Sequence, residues 1–382
     1  MHESSLSKVP IELLNNIALY LSRSDFCNFR LVHRTLAATT LHQIPRNGIS
    51  LLNTAYDLER LQSIIMCPEI AINVRQFRFL YSEWPLGYSR KEWETHPLLF
   101  AGNNRGQTNF VVDADEAFEA YVAFEAKERN RIHTDDVATL KLVLKGLPNL
   151  KSIEICHINS YVWKQTSNFR YNDLLKRIWI SPYLDDELSP GLAILLSALQ
   201  NDFPNIRKLE IKGSLNPDFM VSNFFKPSNS FTQIRVLNVE SLRVILNEST
   251  IIKFLNAFPD ISEASLRFQG PCLSINIIGY LKFPSIKSLQ LCGVWTSEQE
   301  IFQTFEHHHR TLESFALKSS ALTDGSWRSL FTRIRDLRSN SKVTGEGELY
   351  GRTSKETLDM HLPGISTNFT KFMEDYKAEW PF

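Results

Sequence analysis

The chain is poor in the features that mark secreted, membrane-spanning or catalytic proteins. Its 382 residues include five cysteines, an odd number with no C-x-x-C pair, so neither a disulfide framework nor zinc-ligand spacing is legible and reduced thiols are expected. No apolar run approaches the roughly 20 residues of a membrane span. The opening MHESSLSKVP has neither a basic stretch nor an apolar core of the signal-peptide kind. These absences predict no membrane partner and a cytoplasmic or nuclear location. Charge of one sign is missing too: 42 basic residues balance 42 acidic ones, so no net field gathers phosphate backbones and no nucleic-acid partner is expected. The sequence has no G-x-S-x-G, no H-E-x-x-H and no Cys/His nucleophile pattern. GEGELYG at 345–351 lacks the spacing of a phosphate loop and reads as a turn. His307, His308 and His309 are adjacent and cannot all face one ion from a helix. No catalytic residue, cofactor or metal is therefore expected.

With 43% hydrophobic, 22% charged and 11% aromatic residues, the chain has the composition of a folded protein with ample core. Its length suits two or three units or one elongated array. Near the N-terminus Pro10 sits where proline is best tolerated, at the first position of a helix. Ile11, Leu14, Ile17 and Leu21 then recur at helical spacing, widened by Leu13 and Tyr20, which predicts a helix with one face to bury. Ser24 and Asp25 offer an N-cap and first-turn acid for a second short helix bearing Phe26, Phe29 and Val32. A third helix is expected from about His33 toward Leu41. Three helices in under about 45 residues make a marginal core, and such a unit gains burial from a partner or a neighbouring domain.

The ordered set Val9-Pro10, Glu12, Leu13-Leu14, Ile17, Leu21, Asp25-Phe26 and Arg30-Leu31-Val32 resembles the F-box family. It departs from that pattern at Val9, where leucine is usual, at His33, and at Leu36, where tryptophan or phenylalanine is common. The resemblance implies that residues 1–45 dock on a Skp adaptor, and through it on a cullin. Val9, Pro10, Ile11, Leu13, Leu14, Ile17, Leu21, Phe26, Leu31 and Val32 would make the contact. A plain N-terminal helical cap is the alternative.

Further along a phrase recurs: LPNLKSIEI at 147–155, FPNIRKLEI at 203–211, FTQIRVLNV at 231–239, FPDISEASL at 258–266, FPSIKSLQL at 283–291 and RTLESFAL at 310–317. Copies two to six are spaced by roughly 22–28 residues, and the longer first gap leaves room for a degenerate copy near Leu175 to Ile180. The aliphatic spacing fits a loop turning into a short strand, with strands lining up in parallel. Proline before the strand at Pro148, Pro204, Pro259 and Pro284 breaks no ladder bond. Helix-suited stretches such as ELSPGLAILLSALQND, ESTIIKFLNA and TSEQEIFQTFEHHHR lie between copies. This pattern is similar to leucine-rich repeats over about 147–340, and less surely over Val74 to Phe79. The runner-up is an ordinary α/β domain whose loop-strand phrases look alike.

The expected fold class is therefore α/β: a short three-helix F-box, then an irregular leucine-rich-repeat-like solenoid with a parallel sheet and outer helices. Residues 46–340 would form the target-binding region, with an insertion near 81–110, and 341–382 a cap or tail. If the repeats stack, alternate strand positions project from the sheet. Lys208, Glu210, Lys212, Asn238, Glu240, Glu263, Arg267 and Gln290 are thereby candidate contacts to a protein target whose identity is not legible. An ordinary solvated face fits those residues equally. Trp84, Tyr88 and Trp93 of the insertion suit either a partner patch or packing of the loop on its own repeat. The acidic stretch that follows predicts a helix with Ala117, Tyr121 and Phe124 on one side. What the two resemblances imply together is a substrate receptor of a cullin-based ubiquitin ligase; the alternatives are a non-catalytic scaffold using the same module and, more weakly, an enzyme.

Overall fold

The structure is a computed structural model that describes residues 9–21, 23–40, 43, 48–95, 113–131, 133–158, 169–183, 187–199, 203–216, 230–243, 248–269, 281–337, 341–350 and 365–367. Three short helices come first: α1 (Ile11–Tyr20), α2 (Arg23–Val32) and α3 (Arg34–Thr39). Pro10 is the N-cap of α1 rather than its first helical residue, one position earlier than anticipated in the helix frame, and its carbonyl accepts the N–H of Leu13 and Leu14. The second helix starts two residues earlier than the Ser24 cap implied, so Ser24 sits within its first turn. Leu14, Ala18 and Leu36 form a small core between these helices.

A mixed α/β body follows. Its elements are β1 (Ile49–Leu52), α4 (Ala55–Ile65), α5 (Pro68–Ala71), β2 (Gln76–Tyr81), α6 (Arg90–Thr95), α7 (Ala114–Arg129), α8 (His133–Lys145), β3 (Ser152–His157), α9 (Phe169–Ile178), α10 (Ser189–Leu199) and β4 (Lys208–Leu215). They continue with β5 (Val236–Arg243), α11 (Glu248–Asn256), β6 (Glu263–Gln269), β7 (Ser288–Cys292), β8 (Trp295–Ser297), α12 (Glu298–His308), β9 (Ser314–Asp324), α13 (Trp327–Asp336), β10 (Lys342–Tyr350) and β11 (Ile365–Thr367). Strand order across the sheet follows chain order, all neighbours are parallel, and β8 pairs beside the path with β9.

The recurring phrase is a turn that feeds a strand. The carbonyl of Phe203 accepts the N–H of Ile206 at 3.2 Å, and the same bond joins Leu147 to Leu150, Phe231 to Ile234 and Phe283 to Ile286. Proline at the second turn position, as in Pro148, Pro204 and Pro284, arrives with φ already suited to such a turn. Along each strand, alternate side chains then enter one core: Ile153 and Ile155, Leu209 and Ile211, Leu237 and Val239, Ala264 and Leu266, Leu289 and Leu291, Phe315 and Leu317. Burying each large aliphatic contributes about 1.5–3 kcal/mol. The turn residues Phe203, Phe231, Phe258 and Phe283 join the same core as an aromatic spine. On α10, a Cβ at Gly191 would stand 2.3 Å from the Tyr81 ring, so only glycine fits there.

A parallel sheet leaves its first strand with unpaired backbone groups on the outer side. Here α4 fills them. Asp57 accepts the N–H of Leu52 at 2.7 Å, while Arg60, itself 2.8 Å from Asp57, donates to the carbonyl of Ser50.

Three local expectations are corrected. The stretch near Leu175 to Ile180, expected as a degenerate copy, ends helix α9, and β3 pairs directly with β4. Its charged pair Lys176-Arg177 keeps one side wet, while Leu174, Leu175 and Ile178 pack into a second core at helical spacing. GEGELYG is mostly strand: 345–350 belong to β10, which pairs with β9 through an irregularity between Glu346 and Leu349. The sheet thus runs past residue 340. The remainder of the expected tail, 351–364 and 368–382, lies outside the described residues. Third, the insertion is not all loop: its described part, 81–95, carries a short helix, α6, while of the two readings of its aromatics the packed one holds. Trp84 and Trp93 are buried with Tyr121, Ile178 and Ile180, and Trp93 donates its indole N–H to the carbonyl of Ile178 at 3.0 Å. Ala117 and Tyr121 are buried on α7 as expected. Arg131 ties α7 and α8 to the end of the first strand: it is 2.7 Å from Asp136, 3.0 Å from Glu128 and 3.1 Å from the carbonyl of Asn53.

Candidate functional site

Opposite the core, the sheet presents a polar face. Strand register aligns its side chains in rows: Arg78, Glu154, Glu210, Asn238, Ser265 and Gln290 in one, and Gln76, Ser152, Lys208, Val236, Glu263 and Ser288 in the next. A cleft of about 500 Å³ lies over β4 to β7, bordered by Glu210, Lys212, Asn238, Glu240, Arg267 and Gln290. Six of the eight anticipated face residues therefore come together. Lys208 and Glu263 lie on the same face but one row away, toward the N-terminal ends of the strands.

Neighbouring strands are about 4.8 Å apart, so side chains of one row meet directly. Lys208 is 2.5 Å and Lys212 3.7 Å from Glu210, and Asn238 donates to Glu210 at 3.3 Å. Burial works against the Glu210 carboxylate, but Lys208, Lys212 and Asn238 outweigh it and hold the carboxyl below its usual range. Lys212 reaches Glu154 as well, at 3.2 Å. Burial lowers its affinity for a proton, and Glu154 and Glu210 more than reverse that. Glu154 itself is buried and engaged by Arg78, at 3.0 Å, and by Gln76 at 3.1 Å. Arg267 makes no ion pair among the described residues, and Gln290 donates to Ser265 at 3.1 Å. Burial, then Glu154, pushes the neighbouring Cys156 thiol far up, so it is inert. The face thus offers fixed donors, acceptors and both signs of charge, which suits recognition of a polar protein surface. Glu154, Arg78 and Gln76 are absent from the anticipated set. Counting from Leu150 and Val74 as from Ile206 reaches all three.

A second surface lies on the N-terminal helices. The apolar stripe of α1 splits in two: Leu14 and Ala18 face inward, whereas Ile11 is 52% exposed, Leu13 52%, Ile17 43% and Tyr20 90%. On α2, Leu31 is 85% and Val32 61% exposed. Pro10 is exposed, and Val9, Leu21 and Phe26 are half-buried. Leu14 therefore belongs to the internal core and is not an accessible contact. Arg30 is structural too, donating to the carbonyl of Ala37 at 3.1 Å with its guanidinium 5.8 Å from the Phe26 ring centre. Among the described residues, no helix is long and apolar enough to cross a membrane.

Other titratable groups are built into the fold. Ser82 Oγ and His157 Nε2 are 2.7 Å apart, but both are sealed from solvent and join the ends of β2 and β3. Of the three adjacent histidines, His308 is buried against Phe283 with Nε2 2.8 Å from the carbonyl of Leu281. Burial lowers its pKa, and the Leu281 carbonyl only partly opposes this. The unfolded side chain titrates near about 6.5, so its neutral form favours folding above that pH. That stability is lost as pH falls below about 6.5, toward the lower folded value. H308Q is expected to flatten the pH dependence of the melting temperature between about pH 7 and 5. A difference between wild type and H308Q that stays constant with pH would contradict the assignment.

Compared with known proteins, the chain matches no protein-family model and no curated protein.

Proposed function

We propose that the chain is the substrate receptor of a cullin-type ubiquitin ligase: an F-box that docks on a Skp adaptor, joined to a leucine-rich-repeat-like solenoid that holds a target protein. The observation that carries the reading is the exposure of Ile11, Leu13, Ile17, Leu31 and Val32 around a unit whose own core is Leu14, Ala18 and Leu36. Exposing so many large apolar side chains in so small a unit is unfavourable unless a partner covers them. They fall on the positions that the F-box resemblance assigns to adaptor contact. A mere cap on the sheet is disfavoured, because α4 already lies along the outer edge of β1 and meets its Leu52 N–H and Ser50 carbonyl.

The sequential parallel strands and the polar cleft over β4 to β7 support the receptor half. Catalysis would come from proximity, with the target held near the ubiquitin-loaded enzyme. The compartment that follows is cytoplasmic or nuclear. The test is co-expression with the Skp adaptor. Ile17→Asp with Leu31→Asp is expected to weaken capture at least about tenfold without lowering the melting temperature. Leu14→Ala is expected to reduce capture only by unfolding the helices. Capture unaffected by the double substitution ends the adaptor assignment. If capture holds but the assembled complex transfers no ubiquitin to proteins bound by the cleft, the chain is a scaffold.

A further inference from the structure

The N-terminal rim of the sheet carries another charged feature, independent of the cleft and of the N-terminal helices. Backbone bonds link the residues that precede successive strands. The carbonyl of Arg75 accepts the N–H of Lys151 at 2.9 Å, that of Lys151 accepts Arg207 at 2.8 Å, and that of Arg207 accepts Arg235 at 2.8 Å. Arg75, Lys151, Arg207 and Arg235 are therefore rungs of one ladder, one per strand from β2 to β5, spanning about 14 Å at the spacing of paired strands.

The arginines are held outstretched along the rim. Arg75 Nη1 donates to the carbonyls of Ile72 and Asn149 at 3.1 and 3.4 Å, Arg207 Nη1 to that of Gln233 at 3.5 Å, and Arg235 Nη1 to that of Asp260 at 2.9 Å. Each bond uses Nη1 and leaves the rest of the planar fork for a carboxylate. Arg75, Lys151 and Arg207 are exposed. Among the described residues only Asp260 offsets the ladder, 3.4 Å from Arg235. At β6 the pattern ends, because the next rung is Ser262, whose N–H bonds to the carbonyl of Arg235 at 2.8 Å, and Lys287 beyond it is paired with Glu313 at 2.7 Å.

We propose that this ladder is a docking surface for an acidic segment of a partner protein, with Asp or Glu carboxylates crossing β2 to β5. Four like charges set side by side, the three arginines held by hydrogen bonds, repel one another, and a row of carboxylates relieves that repulsion while finding donors already in place. A protein segment is favoured over nucleic acid because the chain has a net charge of +0 and so lacks the broad positive field that gathers a phosphate backbone.

The probe is a fluorescein-labelled oligoglutamate peptide of about ten residues, long enough to span the rungs, followed by anisotropy with the full chain. Saturable binding that weakens with salt is expected. Lys151→Glu with Arg207→Glu should raise the dissociation constant at least about tenfold, and Lys176→Glu with Arg177→Glu on α9 should leave it unchanged. Lys151→Glu alone removes no side-chain bond among the described residues and should still weaken binding about threefold. The proposal is overturned if the peptide does not bind, if folded Lys151→Glu binds as well as wild type, or if the α9 variant loses as much. Equal or tighter binding of a DNA strand of matched charge would overturn it in favour of a general polyanion surface.

Discussion

Phe258→Ala is expected to lower the unfolding free energy by about 3–5 kcal/mol. The ring is fully buried, stacked on Phe231 at 5.3 Å between centroids and edge-on to Phe254 at 5.5 Å. Those neighbours cannot easily close the gap. The N–H of Phe231 is bonded to the carbonyl of Ala257 at 2.7 Å, and the N–H of Phe258 to that of Leu255 at 3.1 Å, so the backbone on both sides of the cavity is fixed. Strand-helix arrays also transmit stability mainly between neighbouring units. The loss should therefore concentrate in faster amide exchange of β5, α11 and β6, with β2 and β3 less affected. Urea unfolding measures the total and hydrogen exchange its distribution. A loss below about 1 kcal/mol would mean that the spine relaxes around the missing ring.

The same residues show how far sequence reasoning reaches. Phe203, Phe231, Phe258 and Phe283 open phrases with two-residue alternation behind them, and that alternation is a direct image of strand geometry. Each therefore announces its turn, its strand and the outward polar row together, which is why the cleft residues from Glu210 to Gln290 were legible. β1 was not: ISLL is four residues long and lacks the phrase, and its place is set by pairing with β2 and by Asp57 and Arg60. The insertion was legible as a break in the period, but its packing depends on contacts such as Trp93 to Ile178, 85 residues apart, which no local pattern encodes. GEGELYG was misread for a related reason. Its glycines signal a turn locally, yet β9 supplies a ready parallel edge that recruits them into a strand with an irregularity. On α1, periodicity marks Ile11, Leu14 and Ile17 alike as apolar, and only the packing of α3 decides that Leu14 turns inward.

Arg78→Met and Glu154→Leu, each alone, are expected to destabilise the protein by about 3–5 kcal/mol, whereas the pair together should recover most of the loss. The side chains of Arg78 and Glu154 are 13% and 3% exposed and 3.0 Å apart, with a second contact at 3.2 Å. Removing the arginine leaves a buried carboxylate with Gln76 and Lys212 as partners, and Lys212, at 43% exposure, is too wet to compensate fully. Removing the carboxylate takes from the guanidinium the acceptor it meets at 3.0 and 3.2 Å. The double substitution removes both desolvated charges, and methionine and leucine adjoin the apolar Leu80 and Cys156 of the second core. Lys212 would then turn wholly to Glu210, shifting charge on the floor of the cleft without altering the sheet. The double variant should thus fold near wild-type stability while changing whatever the cleft binds. A coupling energy below about 0.5 kcal/mol in the double-mutant cycle would show that the two groups do not act as one unit.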